Sequence, residues 1–149
     1  MKKFNFPLDT VLNYKDQVLE NLKTEHAQIL ASVAQQERRI EELMEKSQNA
    51  AIRYREDTQY GVTVNIMREY ERYITFIQQR IVTEQGILLR LKNKEEQKRI
   101  EVIEAKKEKA SIDKLKEKKL DQYNKDMLKS EELFIEEFVS NTMSVRGTR

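Results

Sequence analysis

The sequence predicts an all-α fold, a long antiparallel two-helix coiled coil, from three observations. Apolar residues recur at alternating spacings of three and four from Leu12 to Tyr54, which is the pattern of a coiled-coil seam on a helix. A second seam of the same kind runs from Met67 to Leu91. The 149 residues include three glycines and one proline, so turns should be few and helices long.

The first helix is expected from about residue 7 to about residue 57. Pro7 suits the first helical position, where its missing N–H costs nothing, and Asp9 adds negative charge at the positive end of the helix dipole. The seam is narrow, so it needs one long partner helix rather than a globular core. An 11-residue period fits the same residues, which favours a shallow supercoil and a fairly straight rod.

A turn is expected at about residues 58–63, because Gly61 can adopt a positive φ and the β-branched residues after it start a helix poorly. The second helix then covers about residues 64–139, with room for short helices at the turn. Residues 140–149 show no apolar period and should form a flexible tail. The prediction is therefore one hairpin domain over residues 1–139.

Two registers of the helix pair fit the sequence. A tight turn sets Ile40 opposite Ile81, matches the two seams well, and leaves the second helix about 25 residues beyond the N-terminus, or about 40 Å at helical rise. In the other register, residues 62–79 form a side excursion and residues 8–22 pair with residues 115–127. The sequence does not decide between them.

The residue types and their pattern argue against a pocket-based enzyme, and we predict no catalytic residue, metal or cofactor. A slender helical pair leaves little volume for an enclosed site, and the chain has no cysteine. Neighbouring glutamates are typical of solvated ion-pairing positions. The one histidine, His26, lies on the seam, where a polar residue that helps to fix the register is favoured over a pH switch.

Charge does not favour nucleic acid or lipid as a direct partner. The 28 basic and 26 acidic residues give a net charge of +2, and the charges of residues 92–119 interleave. Lys2 and Lys3 are followed by no apolar run, so no signal peptide is predicted, and no apolar window is long enough for a membrane span. We therefore expect a cytoplasmic protein.

Aromatic residues in the second seam form a candidate partner-binding patch. Tyr70, Ile74 and Ile77 can share the seam, but Tyr73 and Phe76 then point elsewhere. Exposed aromatic side chains beside an apolar strip are typical anchors for a partner protein. Local packing against a short side helix explains the same residues equally well.

Two terminal motifs carry a family resemblance. Residues 4–8 read Phe-Asn-Phe-Pro-Leu, and the apolar pair at 11–12 and then Lys15 follow them. Residues 129–138 are a charged stretch that ends in Phe-Ile-Glu-Glu-Phe. With these motifs, the chain resembles the FliJ family, the small coiled-coil component of the bacterial flagellar type III export apparatus. The family's C-terminal stretch closes on Leu-Asp-Glu, and Glu136 stands here where Asp is usual.

The resemblance implies an antiparallel coil similar to the central stalk of rotary ATPases, with no catalytic activity of its own. Its implied partners are the hexameric flagellar export ATPase, the cytoplasmic linker of the membrane export gate, and export chaperones. The implied place is the cytoplasmic face of the inner membrane, as a peripheral protein.

The resemblance also implies two binding sites. The ATPase-binding tip, where the two chain ends meet, comprises Phe4, Leu8, Leu12, Leu19, Leu22, Leu120, Tyr123, Met127 and Phe134. The export-gate patch comprises Tyr73, Phe76 and Ile77, and Arg80 and Glu84 depart from the family beside it. Two alternatives share the predicted shape: a passive coiled-coil chaperone or scaffold, and the equivalent stalk of a virulence secretion system or rotary ATPase.

Overall fold

A computed structural model describes residues 2–147 and contains two long α-helices in this range. Helix α1 spans Asp9–Tyr60 and helix α2 spans Val64–Gly147. No strand lies among the described residues. The two helices pack against each other in opposite directions, so the predicted all-α two-helix hairpin is confirmed.

The start of α1 lies two residues after the predicted start. Pro7 and Leu8 form a turn, in which the backbone N–H of Asp9 donates to the Phe6 carbonyl at 3.1 Å. The first bond of α-helical spacing, from the Leu12 N–H to the Leu8 carbonyl, follows at 2.8 Å. Asp9 places its carboxylate in the first turn, at the positive end of the helix dipole.

The loop between the helices consists of residues 61–63, inside the predicted turn. Gly61 ends α1 with a φ of +86°, the left-handed conformation that glycine adopts at little cost. The Thr63 hydroxyl accepts the backbone N–H of Ile66 at 3.3 Å, so it caps the first turn of α2. No short helix stands between Tyr60 and Val64, so the suggested extra helices at the turn are absent from this part of the chain.

Replacing Gly61 by alanine is expected to destabilise the hairpin by about 1 kcal/mol, because an L side chain is strained at this φ. No atom lies within 4 Å of an added Cβ, so steric contact adds nothing to this cost. Thermal unfolding followed by circular dichroism measures the effect. Asparagine tolerates the conformation better than alanine and should cost less, and equal melting temperatures for all three proteins would contradict the prediction.

The C-terminal residues differ from the sequence-based expectation. Residues 140–147 continue α2 beyond the predicted helix end at about residue 139, and residues 148–149 of the predicted tail lie outside the described residues. No proline interrupts this stretch, and extending an existing helix adds one hydrogen bond for each residue fixed. Apolar periodicity reports packing against a partner helix, so its absence does not mark the helix end.

The residue contacts divide the chain into two compact units. The terminal unit contains residues 2–19 and 104–147 of the described chain. The turn unit contains residues 20–103.

A buried polar pair fixes the register of the turn unit. Gln36 and Glu84 face each other from α1 and α2 among buried apolar side chains that include Ile40 and Ile77. The Gln36 side-chain amide donates to the Glu84 backbone carbonyl at 3.0 Å and also to the Glu84 carboxylate. This pairing belongs to the tight-turn register. The alternative register is wrong, because residues 64–79 are part of α2 rather than a side excursion.

Two further cross-helix contacts in the turn unit involve titratable side chains. His26 Nε2 lies 2.8 Å from a carboxylate oxygen of Glu95, with both side chains half-buried. Nearer the turn, the Tyr70 hydroxyl donates to the Asp57 carboxylate, and the Tyr70 ring packs on Tyr54 with 5.5 Å between ring centroids. His26 and Glu95 thus form a polar contact between the two helices, which a coiled-coil seam can accommodate.

The pKa of the Tyr70 hydroxyl is raised above its usual value of about 10, chiefly because it donates a hydrogen bond to the Asp57 carboxylate. A raised pKa in the folded state means that the stabilisation is complete below about pH 10 and is lost as the pH rises through the folded value. Tyr70→Phe should therefore lower the melting temperature at neutral pH, and the difference from wild type should vanish in alkaline solution. A difference that is independent of pH would contradict this assignment.

The terminal unit joins its helices by ion pairs as well as by apolar packing. Lys15 pairs with Glu108 at 2.8 Å, and Lys116 pairs with Asp9 at 2.8 Å. Glu108 also raises the pKa of Lys15, mainly through its hydrogen bond. Each exposed pair contributes little stability, but the charge pattern favours one register over its neighbours.

Candidate functional site

The N-terminal segment, residues 2–8, lies along α2 and is held there by aromatic contacts. The Phe6 side chain is only 3% exposed. The Tyr123 hydroxyl donates to the Lys2 carbonyl at 2.7 Å, and the Tyr123 ring lies 5.4 Å from the Phe4 ring, centroid to centroid. Lys116 places its ammonium 6.0 Å from the centre of the Phe6 ring. The opening motif at residues 4–8 therefore packs the N-terminal segment onto α2.

Beyond Tyr123, helix α2 exposes every described residue, from 124 to 147. Many of these side chains are large and apolar, with Phe134 70% and Phe138 66% exposed. At 100° per residue, seven of them fall within an arc of about 140°, which we call the C-terminal stripe. The stripe consists of Met127, Leu128, Phe134, Ile135, Phe138, Val139 and Val145. An exposed apolar face of this size is typical of a protein interaction site.

The segment of α2 that bears the C-terminal stripe also carries negative charges that no described residue pairs. None of the side chains of Glu131, Glu132, Glu136 and Glu137 forms an ion pair with any residue that the structure describes. The acidic side chains of Asp9 and Glu108, where α2 faces α1 in the same unit, do have lysine partners. The carboxylates of these four glutamates are thus available to solvent or to a partner.

The structure separates the nine predicted tip residues into four groups. Phe4 and Tyr123 contact each other, and Leu22 belongs to the turn unit. Leu19 is 4% exposed, so its predicted role in partner contact is wrong, because a core side chain cannot reach a partner while the protein is folded. The remaining exposed or half-buried members lie in the terminal unit: Leu8, Leu12, Leu120, Met127 and Phe134.

Sequence reasoning missed most of the C-terminal stripe. Only Met127 and Phe134 were placed in the predicted tip, whereas Phe138, Val139 and Val145 lie on the same arc. The signal was present, because apolar residues spaced three, four and seven apart continue through this stretch. These residues were missed because their apolar face has no facing helix in this chain, and only Val145 lies in the stretch predicted as a tail.

The predicted export-gate patch lies on a segment of α2 that is nearly free of charge. Between Tyr73 and Leu89 only Arg80 and Glu84 are charged. Arg80 Nε lies 3.3 Å from Glu84 Oε1, so the two charges neutralise each other. Tyr73 and Phe76 are exposed. Ile77 is 3% exposed and belongs to the core, so its predicted contact with a partner is wrong for the folded hairpin.

The exposed aromatics of this segment do not pack against a short side helix in the described residues. Val82 and Leu89 are also exposed here, on the side of α2 opposite the buried Glu84 by their spacing of 100° per residue. A helix surface with few charges and several exposed apolar side chains is suited to protein contacts. Val82 and Leu89 lie on a different side of α2 from Tyr73 and Phe76, so the candidate docking surface is confined to the part of the segment around Tyr73 and Phe76.

Residues 2–147 contain no group of three histidine, cysteine or acidic side chains placed to hold a metal ion. Neither α1 nor α2 has, within those residues, an apolar stretch long enough to cross a membrane.

Comparison with known proteins gives one match. The sequence profile of the family described as Flagellar FliJ protein matches residues 4–148. No curated protein and no solved structure matches the chain. The matched range includes residues 4–8 of the N-terminal segment, both helices and the C-terminal stripe.

Proposed function

Because the chain belongs to the FliJ family, a non-enzymatic component of the flagellar export apparatus, we propose that it is a stalk that binds the hexameric export ATPase. In this proposal it couples the ATPase to the membrane export gate. The ATPase contacts the terminal unit, and the gate contacts the turn unit. The protein acts on the cytoplasmic face of the membrane as a peripheral component.

The observation that carries the proposal is the C-terminal stripe. A helix end without tertiary contacts normally has a polar surface, because exposed apolar area favours aggregation. Here Phe134, Ile135 and Phe138 are all exposed on one arc. Covering them with a partner removes their apolar surface from water, which is the main favourable term in protein association.

The mechanism follows from the asymmetry of the chain. The N-terminal segment lies on α2 beside residues 116–123, and the C-terminal stripe continues from there along one face of α2. Such a surface differs from side to side, so it cannot contact six identical ATPase subunits in the same way. Unequal contacts stabilise the closed state of some subunits over others, and differential binding of this kind shifts a conformational equilibrium.

The gate contact is proposed for the exposed aromatics of the turn unit. Tyr73 and Phe76 offer large apolar side chains on a segment without net charge. Aromatic side chains contribute disproportionately to binding because they bury a large area at a small entropic cost. Export chaperones are further partners that we carry over from the family resemblance.

The test uses the full chain and its cognate export ATPase. Wild type is expected to promote ATPase hexamers and to raise hydrolysis, and Phe134→Ala with Phe138→Ala should weaken binding at least about tenfold, as loss of two central aromatic anchors does. Both side chains are exposed, so the hairpin should stay folded. The matched control is Val82→Ala with Leu89→Ala, two similarly exposed residues of the turn unit, and it should leave stimulation unchanged.

Other outcomes identify the alternatives. No change in hexamer formation or hydrolysis on adding wild type would contradict the stalk proposal. Binding of export chaperones without any effect on the ATPase would favour a passive scaffold. Leu19 is not a suitable test position, because a polar residue there would disrupt the core of the terminal unit.

A further inference from the structure

We propose that the C-terminal stripe binds an apolar groove rimmed by lysine or arginine side chains, with one cationic group placed opposite Glu131. This inference rests on the proposed function and adds the chemistry of the partner surface on the ATPase. The observation that carries it is the combination of a broad apolar arc with four glutamates that have no ion-pair partner in residues 2–147.

The positions of the glutamates follow from the helical spacing. At about 100° per residue, Glu131 falls inside the arc, between the directions of Phe138 and Ile135. Glu132 falls just beyond one edge of the arc, and Glu137 falls beyond the other. A partner that covers the stripe must therefore cover Glu131 and approach carboxylates on both sides.

Covering Glu131 without a cation would be unfavourable. A carboxylate taken out of water loses its hydration, and this loss is offset only by a charged or hydrogen-bonding partner. Helix α2 itself provides little compensating positive charge, since Lys129 is the one cation between residues 127 and 145. The compensating charge must come from the partner surface.

A second copy of this chain fits the stripe poorly. Two stripes packed in parallel would place Glu131 against the Glu131 of the other copy. Packed antiparallel with Phe134 opposite Phe138, they would place Glu131 opposite Asn141, so its carboxylate would be covered without a cation. Like charges facing each other across helices are destabilising, so the charge pattern favours a basic partner over self-association.

The width of the stripe indicates the form of the partner. A single helix in a coiled coil covers a narrow seam, like the one that runs along α1. An arc of about 140° is wider than that seam and needs a groove or several surrounding elements. A concave surface between subunits of a ring offers such a groove.

The test measures binding of the full chain to the cognate ATPase at several salt concentrations. The variant changes Glu131, Glu132, Glu136 and Glu137 to glutamine together, which removes charge and keeps shape. We expect about tenfold weaker binding at low salt and a shallower salt dependence than wild type, because the lost contacts are the screened ones. Glu131→Lys alone should weaken binding at least as much, since it places a cation against the proposed cation.

The matched control changes the same number of exposed glutamates in the turn unit, Glu41, Glu42, Glu45 and Glu56, to glutamine. It alters net charge equally and should leave the affinity within about threefold of wild type. Equal losses in the two variants would mean that net charge alone acts, and the proposal would be overturned.

The remaining outcomes separate this inference from the proposed function. Wild-type binding with unchanged or tighter binding of the stripe variant would overturn the basic groove and leave the stalk function standing. No binding of wild type to the ATPase would overturn both. A concentration-dependent dimer in analytical centrifugation that disappears with Phe134→Ala and Phe138→Ala would identify a second copy as the occupant and overturn the basic groove.

Discussion

Phe6→Ala is expected to lower the free energy of unfolding of the terminal unit by about 3 kcal/mol, the usual cost of removing a buried phenylalanine ring. Phe6 is among the most buried side chains of the chain and holds the N-terminal segment on α2. Its loss should also free the Phe4 ring and the Tyr123 hydroxyl from their contacts. Denaturant unfolding followed by circular dichroism measures the stability.

The control for this prediction is Phe138→Ala, which removes the same ring from an exposed position. Exposed substitutions usually change stability by less than about 0.5 kcal/mol. An equal effect of the two variants would show that the N-terminal segment contributes nothing to the packing of the terminal unit.

Gln36→Ala should destabilise the turn unit by about 2 kcal/mol, because it leaves the buried Glu84 carboxylate without a cross-helix donor. Arg80 still lies 3.3 Å from that carboxylate, which limits the loss. The neighbouring exposed residue supplies the control, and Gln35→Ala should have almost no effect.

Replacing Gln36 and Glu84 together by leucine distinguishes stability from specificity. Removal of a whole buried polar pair is often neutral or stabilising, so the double variant should be at least as stable as Gln36→Ala. Its helices should lose a buried seam pair that disfavours neighbouring registers, which cross-linking of introduced cysteines can detect. A double variant less stable than Gln36→Ala would contradict this account.

The fold was predictable because two independent features agreed. The seams from Leu12 to Tyr54 and from Met67 to Leu91 required two helices, and Gly61 marked the single reversal between them. The register was not predictable from apolar residues alone. Its deciding contacts are polar, such as the Gln36–Glu84 pair and the Lys15–Glu108 pair, and a count of matched apolar residues does not score them.

The candidate site was predicted less well than the fold. Leu19 and Ile77 were assigned to partner contact although both lie on the predicted seams, and the structure buries them. The apolar periodicity predicts the burial of both residues, because a side chain at a seam position packs against the facing helix. Phe138 and its neighbours were missed for the opposite reason, since their apolar face has no facing helix in this chain.

The exposure of residues 124–147 has a consequence for how the protein opens. A helix held only by its own hydrogen bonds frays readily, so amide protons there should exchange with solvent long before those beside Ile40 or Ile77. Trypsin should cut first at Lys125, Lys129 or Arg146, and a bound partner should slow that cleavage. Local unfolding of residues 124–147 and unfolding of the packed helix pair are therefore separate equilibria. The C-terminal end of α2 can unfold while the packed part of the hairpin stays folded.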